Sequence, residues 1–160
     1  MLVWSPNPTA ERLLLDWARE QEAQAIDSSS VQAALEEQHI VLNADSETEQ
    51  KLRGLGRILG ADRILVASVL TQSHPLYVLY SGYKEGHPRV TTLFDPVVTV
   101  RSFGVDGSTV YWNVTARGQA PSFVLEPAVT DLTQAALRRI TCEADIENQW
   151  IDGSGCSRKQ

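Results

Sequence analysis

Leu52-Arg53-Gly54-Leu55-Gly56-Arg57-Ile58-Leu59-Gly60-Ala61-Asp62-Arg63-Ile64-Leu65-Val66-Ala67-Ser68-Val69 reads as a helix that stops at a glycine and feeds a buried strand. Leu52, Leu55 and Leu59 recur at helical spacing, and Gly60 suits the left-handed position that closes a helix. From Ile64 to Leu70 the residues are apolar almost without alternation, the pattern of a central strand covered on both faces. Just upstream, Ser46-Glu47-Thr48-Glu49 has the S-x-x-E form of a capping box. A helix-to-strand unit of this kind points to an α/β fold.

On the N-terminal side, Pro8-Thr9 opens an amphipathic helix with Ala10, Leu13, Leu14, Trp17 and Ala18 on one face. Ser28, Ser29 and Ser30 are candidate N-caps for a second helix, whose inner face carries Val31, Ala34 and Leu35 and which ends near Gln38-His39. On the C-terminal side, Leu76 to Tyr80 and Val97 to Phe103 read as strands. Val105-Asp106-Gly107-Ser108 is a hairpin turn into Thr109 to Thr115, so the last two strands are expected to be antiparallel. Ser81 to Pro96, punctuated by Gly82, Gly86, Pro88 and Pro96, reads as a loop or projecting hairpin tip. Glu126-Pro127 starts a terminal helix with Val129, Leu132, Ala136 and Ile140 inward. The expected architecture is a single mixed β-sheet with helices packed on it, one domain over 1–151, followed by a flexible tail over 152–160.

The 160 residues can bury a substantial core, and no apolar run approaches the roughly 20 residues of a spanning helix. A net charge of −6 repels phosphate backbones, which argues against nucleic acid. Met1-Leu2-Val3-Trp4 shows no basic leader or cleavage site, so the chain is expected to be cytoplasmic or separated from its signal. Cys142 and Cys156 flank a Gly/Ser stretch. They either form a disulfide pinning the tail in an oxidising compartment or are two free thiols.

The search for chemistry is short. Gly54, Gly56 and Gly60 precede a strand, whereas a dinucleotide fingerprint places its glycines after a strand and before a helix, where the phosphate sits. Their structural reading is close packing and a helix stop. His39, His74 and His87 belong to no metal-ligand spacing. The serines beside Asp27 lack a nucleophile elbow and read as caps. Glu36-Glu37 and Glu47/Glu49 fall on polar helix faces, and Asn113-Val114-Thr115 matches a glycosylation acceptor but lies within a strand. No cofactor or metal is expected. Tyr77, Tyr80 and Tyr83, with Phe94 behind them and Lys84 and Arg89 between, are candidate partner contacts, since aromatics on a projecting hairpin often anchor interfaces. The alternative for Tyr77 and Tyr80 is that they cover opposite faces of a sheet.

Three segments, in order, resemble the CsgG-like family of bacterial envelope lipoproteins, related in fold to the N-terminal domain of TolB. Ile26 to Gln38 looks like the family's strand, D-R-S turn and helix. Leu55 to Val69 is similar to its helix, G-A-D and apolar strand, and Val98 to Gly118, with Asp106-Gly107-Ser108-Thr109-Val110-Tyr111-Trp112, to its hairpin ending in a tryptophan strand. Ser28 in place of arginine, Ala67 in place of glycine and Phe103 in place of aspartate are departures. The resemblance implies a non-enzymatic periplasmic scaffold, tethered to the outer membrane through a lipidated N-terminal cysteine that this chain does not carry. It would act in export or envelope assembly by self-association or by docking partners on its sheet edge and the Tyr77 to Phe94 region. The alternative is a monomeric partner-binding module that regulates a cell-envelope enzyme. Partners are thus expected to be envelope proteins or copies of the chain itself. Charged and proline residues between Leu76 and Phe103 disfavour lipid-facing strands and a pore.

Overall fold

The computed structural model describes residues 1–42, 47–78, 89–107 and 109–147. The elements are β1 (Leu2–Trp4), α1 (Pro8–Glu20), α2 (Ser28–Glu37), α3 (Thr48–Ile58), β2 (Arg63–Val78), β3 (Arg89–Gly104), β4 (Val110–Arg117) and α4 (Leu125–Glu147). The four strands form one mixed sheet in the order β1-β2-β3-β4. β1 lies parallel to the start of β2, and β2–β3 and β3–β4 are antiparallel. This is the expected α/β architecture, with four helices packed on a single sheet.

The helices divide between the faces because the strands alternate. Val3, Leu65, Ala67, Val98, Val100, Val114 and Ala116 point to one side, where Ala10, Leu14 and Trp17 of α1 and Val129, Ala136, Leu137 and Ile140 of α4 complete a core. Leu2, Ile64, Phe103 and Val105 point to the other side and meet Val31 and Ala34 of α2 and Leu52 and Leu55 of α3. Side chains in a strand point to opposite faces in turn, so a doubly covered strand must be apolar at every position. Ile64 to Ala67 meets that demand, but Leu70 is 70% exposed. The double covering therefore ends earlier than the apolar run does. At the far end of the first core, the Trp17 indole N–H donates to Thr141 Oγ1 at 3.0 Å, and its ring meets Trp112 edge-on at 6.1 Å.

Helix ends follow the local chemistry, with two corrections. Asn7 caps α1, its side-chain oxygen accepting from the Ala10 N–H at 3.0 Å, and Pro8 takes the first helical position. At α2 the cap is Asp27, and Ser28 to Ser30 form the first turn instead of capping it. Asp27 accepts from the Ser30 N–H at 2.8 Å and from the Ser29 and Ser30 hydroxyls. Those bonds, the Ser29 hydroxyl first, hold its carboxyl down to about 2. The capping box expected before α3 falls on Ser46, which lies outside the described residues; within them Glu47 is the N-cap without a side-chain cap bond, and Glu49 pairs with two arginines. α4 begins at Leu125, so Pro127 stands two positions later than the sequence suggests.

Gly60 takes φ +66° directly after Leu59, the C-cap of α3, as its position in the sequence predicts. Gly56 is required for a different reason. A Cβ there would lie 2.7 Å from Val105 Cγ2, where the third helix presses on the end of β3, whereas a Cβ on Gly54 would meet nothing within 4 Å. The two helical glycines should therefore respond oppositely. Gly54→Ala is expected to raise the unfolding free energy by about 0.5–1 kcal/mol through helix propensity. Gly56→Val is expected to lower it by about 1–3 kcal/mol through overpacking. Urea denaturation reads both, and a shift of the same sign at the two positions would contradict this packing.

Candidate docking surface

The sequence reading has strands at Ile64 to Leu70, Leu76 to Tyr80 and Val97 to Phe103, with Ser81 to Pro96 as a loop or projecting hairpin tip; residues 79–88 lie outside the described residues. The structure instead has two strands of 16 residues each, paired without a break from Arg63↔Gly104 to Val78↔Arg89. Only part of this ribbon belongs to the body. β1 accompanies β2 from Ile64 to Val66, and β4 accompanies β3 from Val97 to Phe103. Beyond those limits Thr71 to Tyr77 is exposed at every residue. At about 3.3 Å per residue, the outer half of the ribbon extends on the order of 25 Å.

Pro75 and Pro96 are tolerated within it because of where their nitrogens point. Phe94 forms an isolated bridge to Ser122: its N–H donates to the Ser122 carbonyl at 2.8 Å, and its own carbonyl accepts from the Ser122 N–H at 2.8 Å. In an antiparallel ladder, successive residues direct their main-chain groups to alternate neighbours. Phe94 turns both of its groups away from β2, so the opposite residue, Ser73, turns its own away from β3. Thr71, Pro75 and Tyr77 share that parity. The missing N–H of Pro75 thus faces the open edge and that of Pro96 faces away from β2, and neither costs the ribbon a bond.

Side chains sort by the same alternation. Tyr77, on the face continuous with the α1/α4 core, stands opposite Val90, and the two are 66% and 58% exposed. Phe94 lies on that face nearer the body. Its bridge to Ser122 brings Phe123 and Val124, 62% and 58% exposed, beside the root of the ribbon. The Ser122 side chain holds this turn, accepting from the Val124 N–H at 3.2 Å and donating to the Val124 carbonyl at 2.9 Å. Tyr77 and Phe94, both read from the sequence as contacts, therefore share one face of one ribbon. Val90, Phe123 and Val124 were missed; Phe123-Val124 precedes a helix, and an exposed apolar pair there carries no periodic signal. Tyr80, Tyr83 and Lys84 lie outside the described residues. Arg89 opens β3, and its side chain lies outside them too. Cys142 falls in α4 with its side chain likewise outside, and Cys156 is outside altogether.

The opposite face of the ribbon's root is polar. Arg117 donates to Asp95 at 2.7 Å, which raises the pKa of the guanidinium further, and the Thr99 and Thr115 hydroxyls share a hydrogen bond at 3.0 Å. Near α3, Glu49 accepts from Arg53 at 2.7 Å and pairs with Arg101 at 3.0 Å. Arg53 also donates to the Gly104 carbonyl, and its guanidinium lies 4.7 Å from the Phe103 ring centre. The group ties α3 to the end of β3. Of the histidines, His39 follows α2 at φ +52°, His74 lies on the ribbon opposite Leu93, and His87 is outside the described residues. Among the described residues no three His, Cys, Asp or Glu side chains assemble as a metal site, and no helix is long and apolar enough to cross a membrane.

No family model matches the chain, and no curated protein matches it. Among solved structures, it is similar to the LpoB C-terminal domain from Salmonella enterica at 17% identity, over 74% of this chain and 81% of that one, with a TM-score of 0.46. It is similar to lipoprotein GNA1162 from Neisseria meningitidis at 15% identity, over 88% and 96%, with a TM-score of 0.49. The hypothetical protein CT253 from Chlamydia trachomatis matches at 11% identity, over 89% and 91%, with a TM-score of 0.34. With TM-scores below 0.5, these likenesses leave the role to be argued from the chain's own residues.

The Glu49 cluster gives a pH prediction. The hydrogen bond from Arg53, and then the Arg101 charge, hold the Glu49 carboxyl below the ordinary glutamate range against the opposing effect of burial. A carboxyl depressed on folding stabilises the protein above its unfolded pKa, and that contribution disappears as pH falls through the folded value. Glu49→Gln should therefore cost about 1 kcal/mol at pH 7, allowing for solvent screening, and nearly nothing at pH 2. Urea unfolding at both pH values checks this, and an equal cost at each would contradict it.

Proposed function

We propose that this chain is a non-enzymatic, CsgG-like component of the bacterial envelope that works by docking other proteins, with the β2/β3 ribbon as the contact element. The single observation that carries the reading is the exposed apolar face of the ribbon. Tyr77 and Val90 sit as a cross-strand pair far from either core, while Phe123 and Val124 extend the apolar surface at its root. Large apolar and aromatic side chains on a projecting ribbon gain by being covered, and aromatics contribute disproportionately to interface energies. The three sequence segments that resemble the CsgG-like family support the envelope location and the scaffold role. The partner is an envelope protein or another copy of the chain.

The test places a photo-activatable aromatic residue at Tyr77, at Phe123, and at the control position Ile58, which is 54% exposed on α3. Irradiated in the native bacterium, the first two positions are expected to form discrete protein adducts in the envelope fraction, and Ile58 none. Adducts of equal yield at all three positions, or the absence of adducts at Tyr77 and Phe123, would overturn the reading.

A further inference from the structure

β4 leaves its place beside β3 at Val97↔Arg117, yet Ser122 stands opposite Phe94 in the same lane. Two residues of β3, Asp95 and Pro96, separate these contacts, against four on the other side, Gly118 to Pro121. The chain after β4 therefore leaves the sheet and returns to it, three residues before α4 begins at Leu125. Both Ser122 main-chain groups bond to Phe94 at 2.8 Å, and its side chain closes the turn onto Val124. Val129, Ala136 and Ile140 of α4 are buried in the core, so this turn springs from a fixed support.

Across the gap, Arg117, the last residue of β4, reaches Asp95 at 2.7 Å, and the Asp95 side chain is only 15% exposed. Among the described residues, this pair and the Phe94–Ser122 bridge are the hydrogen bonds and ion pairs that join the ribbon beyond Val97 to the body. A two-stranded ribbon twists more strongly than a wide sheet and is marginal by itself, so its direction must be set where it leaves the body.

We infer that Ser122 and the Asp95–Arg117 pair form a clasp that sets the direction of the ribbon, holding Tyr77, Val90 and Phe94 together with Phe123 and Val124 as one docking face. This deepens the docking reading above and rests on it for the use of that face, while the clasp itself needs no partner. Ser122, Asp95 and Arg117 are positioning residues. The Ser122 hydroxyl is engaged within its own turn, and the two charges lie on the opposite face of the ribbon, so none of them offers a group to the partner. The clasp instead decides how far the aromatic pair on the ribbon stands from the apolar pair at its root.

The test measures the direction of the ribbon by pulsed electron–electron double resonance in a Cys142→Ser, Cys156→Ser background. One nitroxide pair joins His74→Cys on the ribbon to Arg138→Cys on α4; a control pair within the body joins Ile58→Cys to Arg138→Cys, all at exposed positions. The ribbon pair is expected to give one narrow distance distribution. Ser122→Pro removes both the amide donor and the hydroxyl, and combined with Asp95→Asn it should roughly double the width of that distribution, since the released ribbon has only two strands. The control pair should not change, and Ser122→Thr, which keeps both groups, should retain the narrow width. A width unmoved by the double variant, a broad distribution before any change at the clasp, or equal broadening of the control pair would overturn the clasp. If the clasp fails this test while the Tyr77 and Phe123 adducts persist, the docking reading stands without it. If the width responds as expected and no adducts form, the clasp stands and the docking reading falls.

Discussion

The unbroken pairing of Arg63–Val78 with Arg89–Gly104 is the constraint on which the rest of this molecule depends. Its inner half is the middle of the sheet, where both helical layers find their apolar partners, and its outer half is the projection. One set of backbone hydrogen bonds therefore serves as both core and arm. The body holds the ribbon through residues that cannot move independently: Ile64 and Phe103 pack under α3, Leu65 and Val100 under α1 and α4, and Arg53 bonds to the Gly104 carbonyl. An isolated two-stranded ribbon is marginal in water. This one has its root clamped on both faces, and the Ser122 bridge at Phe94 adds a third, local strand contact where β4 has ended.

The same construction explains the placement of polar and apolar surface. Residues with both faces covered are apolar at every position, as from Ile64 to Ala67. Past Val69 the covering stops and the strand becomes an exposed ribbon, with polar Thr71, Gln72 and Ser73 in its middle. The apolar residues that remain outside, Leu70, Leu76, Tyr77 and Val90, have no core to enter. Their presence on a projecting element is the physical basis for treating the ribbon as a contact surface.

Much of the body was legible in the sequence, since its elements depend on local rules. The i, i+3, i+4 spacing from Ala10 to Ala18, the glycine at position 60 and the Asp-Gly turn each act within a few residues of themselves. The positions named as inward in α1 and α4 are those that line the first core. The caps were displaced because Asp27 and Ser28 to Ser30 all have capping chemistry, and the backbone angle that decides among them is not a property of side-chain type. The ribbon was misread for a longer-range reason. Pro75 and Pro96 normally interrupt strands, and only the identity of the neighbour on each side reveals that their nitrogens face away from the ladder. That neighbour, Ser122, is remote in sequence. Tyr77 and Phe94 were found as aromatics, but their common face emerged only from the register.

Amide hydrogen exchange followed by NMR, residue by residue along β2, tests the central claim most directly. The account predicts protection at Leu70, Gln72, His74 and Leu76, because those amides bond to β3, and fast exchange at Thr71, Ser73 and Tyr77, whose amides face the open edge. Uniformly fast exchange from Leu70 to Tyr77 would contradict the ribbon itself.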